Sequence, residues 1–331
     1  MSVGYDGKIM RRALQRFDED KRRREEDFHR REETIYARAP RLRDIERELR
    51  STMSQIITSA LRRGSDPLPA LEVLRDRNLS LQEEKAALLA RLNLPADCLE
   101  QKPSCPLCGD TGYRRGEVCR CLRAYYAQEQ KKELSRMLDV GTQSFETFSL
   151  EWYSEEPLPA LGFSPRENMA WVKKTCRKYA VEFGPDSGNL LLTGAPGLGK
   201  TFLSAAIARE VSDGGFSVVY DTAVHVFDRF EARKFAREDE ADEDVSRILN
   251  CDLLILDDLG TEMTTAFVQS AFYQIINTRL MEKRATILNT NLSVEEIAKR
   301  YSPQVASRIE GEYKVLLFCG QDIRKLRRER Q

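Results

Sequence analysis

The octapeptide GAPGLGKT, residues 194–201, constrains the fold more than any other stretch of this 331-residue chain. It fits the pattern G-x-x-x-x-G-K-[ST] and lies between an apolar run, NLLLT (189–193), and a helical run, FLSAAIAREV (202–211). Strand, glycine-rich turn and helix in that order make a phosphate-binding loop. The glycines let the backbone come close enough for its N–H groups to point at phosphate oxygens, and the helix N-terminus adds partial positive charge. The expected nucleotide-binding residues are therefore Gly194, Ala195, Pro196, Gly197, Leu198, Gly199, Lys200 and Thr201. Lys200 would reach the β- and γ-phosphates, and Thr201 would hold Mg²⁺.

Further strand candidates are SVVY (217–220), DLLIL (252–256), ATILN (285–289) and VLLF (315–318), with helical stretches between them. Short, continuous apolar runs separated by helices indicate a parallel sheet covered on both faces, hence an α/β fold. The run DLLILDD (252–258) places two acids at the C-terminal end of a strand, where ligands of open α/β sheets collect. Asp257 is expected to hold Mg²⁺ through water, and Asp258 to orient or deprotonate the attacking water. Asn291 follows the fourth strand and can hydrogen-bond that water or the γ-phosphate, a role for which Asn289 competes. Arg308 in ASRIEG and Arg324 in GQDIR are candidates to stabilise transition-state charge, although either arginine taken alone is more often a surface residue than a catalytic one.

The N-terminal part has another character. Charge is mixed, with 53 basic and 53 acidic side chains over the whole chain, so any electrostatic footprint must be local. No apolar run approaches the ~20 residues of a membrane span, and the first residues lack the apolar core of a secretory signal. A reducing, cytoplasmic location is the expectation. From Leu42, the positions Ile45, Leu49, Met53, Ile56 and Ala60 recur at helical spacing; Gly64 to Pro69 break the pattern, and a further helical run carries Leu71, Leu74, Leu81, Leu88 and Leu92. This region reads either as a helical hairpin with solvated charge or as a helical docking module.

Half of the eight cysteines lie in CPLCGDTGYRRGEVCRC, residues 105–121. Cys105, Cys108, Cys119 and Cys121 form a C-x2-C pair and a C-x-C pair. Four thiolates close a tetrahedral shell and leave no open position, which fits structural Zn²⁺; an iron–sulfur cluster is the alternative, and disulfides suit a reducing compartment poorly. Cys98 is a stray ligand or a buried residue, and Cys176, Cys251 and Cys319 read as core. Residues 141–167, with scattered Gly, Pro and Ser, read as a linker.

GNLLLTGAPGLGKTFL, DLLILDDLGTE, TILNTNL, ASRIEG and GQDIRK, spanning about residues 168–326, resemble AAA+ proteins. More narrowly they resemble bacterial replicative-helicase loaders of the DnaC/DnaI type and the related IstB-like ATPase helpers of transposition. The resemblance implies an AAA+ P-loop domain at 168–331 with a five-stranded parallel sheet, no C-terminal lid and a short basic tail, preceded by a helical zinc domain at 1–140 that binds the helicase. It implies ATP as the nucleotide, Asn291 as sensor 1, Arg308 as an arginine finger donated to a neighbouring subunit, and Arg324 as the sensor 2 arginine. The implied partners are a DnaB-type hexameric helicase, single-stranded DNA and, with ATP, further copies of the chain; no membrane is involved. Asp258 stands where AAA+ proteins commonly carry the longer Glu, so slow, switch-like hydrolysis stimulated by partner or DNA is expected. A helper of transposition, or a nucleotide-gated binding module that barely hydrolyses ATP, remains as an alternative. The tail from Arg324 to Arg330 is a DNA-contact candidate or a solvated end.

Overall fold

The computed structural model describes residues 5–61, 68–137, 143–159, 161–235 and 239–329, with side chains described there except at 52–61, 68–71, 135–137, 234–235 and 239–241. Residues 64–67 of the expected helix break, residues 141, 142 and 160 of the expected linker, and Arg330 therefore lie outside the described residues. So do the side chains of Met53, Ile56, Ala60 and Leu71. Backbone proximity divides the chain into two units, Phe17–Thr111 and Met1–Arg16 with Gly112–Gln331.

The smaller unit is helical. It holds most of α1 (Gly7–Arg38), then α2 (Pro40–Leu61) and α3 (Leu68–Arg91). The chain turns at Ala39, and Pro40 opens α2 at the position where a missing N–H costs nothing. Leu42 and Ile45 are fully buried, as their spacing requires, and Ile35, Tyr36, Leu42, Leu89 and Leu99 form one small core. Around it Arg41 pairs with Glu48 and Glu84, and Arg77 with Glu48. Such exposed pairs contribute little to stability, so the unit depends on a thin apolar seam.

After this unit comes a two-stranded hairpin, β1 (Tyr113–Arg114) and β2 (Glu117–Val118), followed by α4 (Arg120–Met137). The larger unit continues through α5 (Pro165–Val181), β3 (Asn189–Thr193), α6 (Lys200–Asp213), β4 (Val218–Thr222), α7 (Ala223–Phe235), α8 (Asp239–Asn250) and β5 (Leu253–Leu259). It closes with α9 (Ala266–Met281), β6 (Ala285–Thr290), α10 (Val294–Arg300), α11 (Pro303–Glu312), β7 (Tyr313–Leu317) and α12 (Ile323–Glu329). The strands form a parallel five-stranded sheet in the order β4-β5-β6-β3-β7. Each of the five expected strands is present within three residues of its predicted bounds.

Successive residues in these strands face opposite layers, and both layers are apolar. Leu190, Leu192, Val218, Tyr220, Leu253, Ile255 and Ile287 share a core with α5 and α6. Leu191, Val219, Leu254, Leu256 and Leu288 share the other with α7, α9 and α11. Because β3 lies between β6 and β7, the chain after β3 must cross two strands to reach β4. That reversal opens a crevice at the C-terminal ends of β3, β5 and β6, the position where open α/β sheets bind ligands.

Two features depart from the sequence reading. The helix α4, which also meets the start of α1 through the Arg12–Glu133 and Arg16–Glu129 pairs, belongs to the sheet unit. Gln130 causes this: it is buried, its amide donates to Ser212 Oγ (2.8 Å) and Phe216 O (2.7 Å), and its Oε1 accepts from the Val218 N–H (2.9 Å). The segment expected as a linker is also packed, since Phe145, Phe148 and Tyr153 join the core beside α5 and α6. Ser164 and Glu167 form a capping box that starts α5, with Pro165 in its first turn.

Arg279 of α9 is fully buried and unpredicted from sequence. Its guanidinium donates to the carbonyls of Ile248, Leu249 and Cys251 at the end of α8, to Ala285 O, and to Thr286 Oγ1. A cation at a helix C-terminus satisfies carbonyls that have no partner within the helix. Arg279→Met removes every donor and leaves those acceptors buried, so urea unfolding of the larger unit is expected to show a loss of roughly 3–5 kcal/mol. A loss below about 1 kcal/mol would contradict this reading of Arg279.

Candidate functional site

The P-loop turns sharply from β3 into α6. Gly197 has φ +76°, and a Cβ there would lie 1.9 Å from Asp322 Oδ1; at Gly194 a Cβ would lie 2.2 Å from Phe318 O. Both positions exclude any side chain, so the residues after β7 hold the loop from outside. Lys200 Nζ lies inside the loop, donating to Gly194 O (2.6 Å), Ala195 O (2.9 Å) and Asn291 Oδ1 (2.8 Å). Burial is the main cause that lowers its pKa to about 8, against the opposing pull of Asp258 and Asp257. An anion in the loop would relieve that cost.

Asp257 is buried at the end of β5 and accepts hydrogen bonds from several elements at once. Asn289 Nδ2 donates at 2.9 Å, Thr201 Oγ1 at 3.3 Å, the Asp258 N–H at 3.0 Å and Tyr220 Oη at 2.6 Å. Thr201 and Asp257 thus meet, as an Mg²⁺ site between them requires, and their oxygen donors suit that ion. Asp258 has φ +52°, a conformation that aspartate tolerates better than most residues. Burial, followed by the charge of Asp257, raises its carboxyl pKa.

The two asparagines separate. Asn289 is fully buried, bonded to Ser204 Oγ (2.7 Å) and Asp257, whereas Asn291 meets Lys200 and lines the cleft. That cleft, about 270 Å³, is bounded by the P-loop, Asp258 and Asn291 on one side and by Phe148, Trp152 and Arg324 on the other. Arg324, from α12, lines this cleft. Arg308 is half-buried on α11, with its guanidinium 5.6 Å from the centre of the Tyr273 ring, and is not part of the cleft lining. Sequence reasoning missed Tyr220, Ser204, Phe148 and Trp152. The first two sit in ordinary apolar strand and helix patterns, and the aromatic pair sits in the segment taken for a linker.

The cysteine segment folds so that its two pairs meet. The carboxylate of Asp110 accepts from the N–H groups of Ser104 (2.9 Å) and Cys105 (2.8 Å), closing the first turn. Arg115 and Gly116, both with positive φ, make the two-residue hairpin turn between β1 and β2. The Cys119 N–H then bonds Gly112 O (2.8 Å), and Cys121 enters the first turn of α4, where the helix dipole favours a thiolate. The Sγ atoms of Cys105, Cys108, Cys119 and Cys121 lie within 4.8 Å of one another. A zinc ion with ~2.3 Å bonds spaces its sulfurs about 3.8 Å apart, so this donor set fits Zn²⁺. Cys98 packs beside the small helical core, away from that set, and Cys176, Cys251 and Cys319 are buried.

Sheet, P-loop and the Thr201–Asp257 pair define the larger unit as an α/β P-loop nucleotide-binding domain. Residues 170–307 match the family model of the IstB-like ATP binding protein. The replicative helicase loader DnaC of Escherichia coli K12 is 30% identical over 134 residues, which are 40% of this chain and 54% of that protein. An uncharacterised protein of the same strain, YdaV, is 24% identical over 143 residues, or 43% of this chain and 57% of YdaV. The chain thus spans about half the length of the curated relatives it matches. Among solved structures, the DnaC helicase loader has a TM-score of 0.43 at 22% identity over 52% of this chain and 97% of its own. DnaI has 0.44 at 21% identity, over 56% and 92%. The resemblance to DnaC-type loaders seen in the motifs is matched by the curated relative DnaC. No helix among the described residues is long and apolar enough to cross a membrane.

Lys200→Ala should weaken nucleotide binding by roughly 10- to 100-fold, the worth of a charge-assisted contact to phosphate. Because burial of the ammonium is a cost to the empty fold, the melting temperature of the nucleotide-free variant should stay level or rise. Titration calorimetry and a thermal melt of the same sample test both. Undiminished binding would remove Lys200 from the site.

Proposed function

We propose that the chain is an ATP-dependent loader that binds a hexameric DnaB-type replicative helicase and delivers it to single-stranded DNA at replication initiation or restart. The observation that carries this reading is the 30% identity to a replicative helicase loader over 134 residues. In this reading the bound nucleotide is ATP. Lys200 and the loop amides hold its phosphates, Thr201 and Asp257 hold Mg²⁺, and that ion neutralises phosphate charge when bound. Asp258 orients or deprotonates the attacking water, and Asn291 senses the γ-phosphate. Arg324 faces the phosphates from α12 of the same chain. Arg308, half-buried on α11 against Tyr273, serves as an arginine finger in the site of a neighbouring copy, so ATP promotes self-assembly. Asp258 is one methylene shorter than glutamate, which agrees with slow hydrolysis stimulated by DNA or partner. The protein acts in the cytoplasm, where thiolates stay available for zinc.

Division of labour follows the sequence reading. The N-terminal helices, with the zinc-bound cysteine hairpin, grip the helicase, and the domain from residue 168 onward switches with ATP. The basic helix α12, with Arg324, Lys325, Arg327 and Arg328, is the DNA-contact candidate. A second reading is favoured by the family model itself, whose description names an IstB-like ATP binding protein. In that case the chain assists a transposase on duplex DNA.

Gel filtration of the full chain with the same cell's replicative helicase separates the two readings. Co-elution with ATP, lost when a thiol reagent strips the zinc measured in the purified chain, is the expected result. Separate elution under all conditions would overturn the loader reading and favour the transposition helper.

A further inference from the structure

A P-loop binds phosphate only if its peptide planes turn their N–H groups inward, and in a planar trans peptide the carbonyl then points outward. Something must accept that outward polarity, because a buried carbonyl without a donor is costly. Two such carbonyls have partners from outside the motif. Gly197 O accepts from the Ile323 N–H (3.0 Å), and Leu198 O accepts from Tyr153 Oη (2.8 Å).

Tyr153 is almost completely buried and is no part of the cleft lining. Its hydroxyl sits so close under the loop that a Cβ on Gly199 would meet it at 3.1 Å, while its ring would touch a Cβ on Gly320 at 3.3 Å. It is thus wedged between the last P-loop glycine and the residues that lead from β7 to α12. Phe148 stacks on its ring and also presses on Gly199, and Lys173 Nζ holds the Phe148 carbonyl at 2.9 Å. Burial raises the phenol pKa, so the hydroxyl remains a donor across the working pH range.

We infer that Tyr153 is a positioning residue for the nucleotide phosphates: by holding the Leu198 carbonyl it turns the Gly199 N–H into the cleft. This rests on the nucleotide-binding reading of the P-loop and deepens it. The hydroxyl touches no ligand, and its effect passes through one peptide plane. Phe148 and Lys173 keep the segment 145–153 seated so that the hydroxyl stays in reach.

Tyr153→Phe tests this, because the ring still fills the space between Gly199 and Gly320 while the donor is gone. Affinities of the full chain and the variant are measured for Mg-ATP, Mg-GTP and inorganic tripolyphosphate. The inference expects a loss of roughly five- to tenfold, the worth of one buried hydrogen bond, and the same loss for all three ligands. Amide exchange at residues 197–199 of the nucleotide-free variant should rise, while exchange in β3 and α6 stays unchanged. Equal affinities for chain and variant would overturn the inference alone, as would a loss confined to ATP, which would place the effect at the base. A loss accompanied by faster exchange throughout the sheet would overturn it in favour of a purely packing role. Failure of the unaltered chain to bind any of the three would overturn the nucleotide reading, and the inference with it.

Discussion

The carboxylate of Asp257 is the point on which the rest of the site depends. It is buried, and a buried carboxylate persists only when its lone pairs are met. Here the donors come from α6 (Thr201), β4 (Tyr220), β6 (Asn289) and its own successor, Asp258. Three neighbouring elements are thus registered against the end of β5 by one side chain. The strand order makes this possible, because β6 lies between the P-loop strand β3 and β5 and carries Asn289 inward to Asp257 and Asn291 outward to Lys200. The same polar cluster that ties the C-terminal ends of the strands together therefore places the groups that line the cleft.

The loop itself is held differently. Its glycines are pressed by residues remote in sequence: Asp322 against Gly197, the Phe318 carbonyl against Gly194, Phe148 and Tyr153 against Gly199. The chain before α5 and the chain after β7 converge on it, and Arg327 of α12 closes over the Trp152 ring at 5.5 Å between them. Such preorganisation matters because amides that already point at the ligand need no rearrangement when it arrives.

Much of this was legible in the sequence where a chemical requirement fixes residue type and spacing together. The P-loop, the acids after β5 and the five strands are of that kind: glycine where no Cβ fits, and four to five apolar residues where both faces are covered. The paired cysteines were legible for the same reason, although the Arg115-Gly116 turn that brings the pairs together was not remarked. What escaped were roles that depend on long-range contacts without a motif. Gln130 reads as one polar residue in the charged helix QEQKKE, yet it docks α4 onto the α6–β4 turn. Arg279 reads as a surface cation at the end of an apolar helix. Tyr153 lies in a stretch whose Gly, Pro and Ser content suggests a linker, and only the fold shows that it reaches Leu198. Local pattern cannot reveal partners tens of residues away.

The central claim is that Asp257, together with Thr201, forms the metal side of a nucleotide site. Titration calorimetry of ATP into the full chain and into Asp257→Asn, each with and without Mg²⁺, tests it most directly. The account predicts that Mg²⁺ tightens binding to the unaltered chain by tenfold or more, and that the variant loses this gain while keeping its metal-free affinity. An identical Mg²⁺ dependence in both proteins would contradict it.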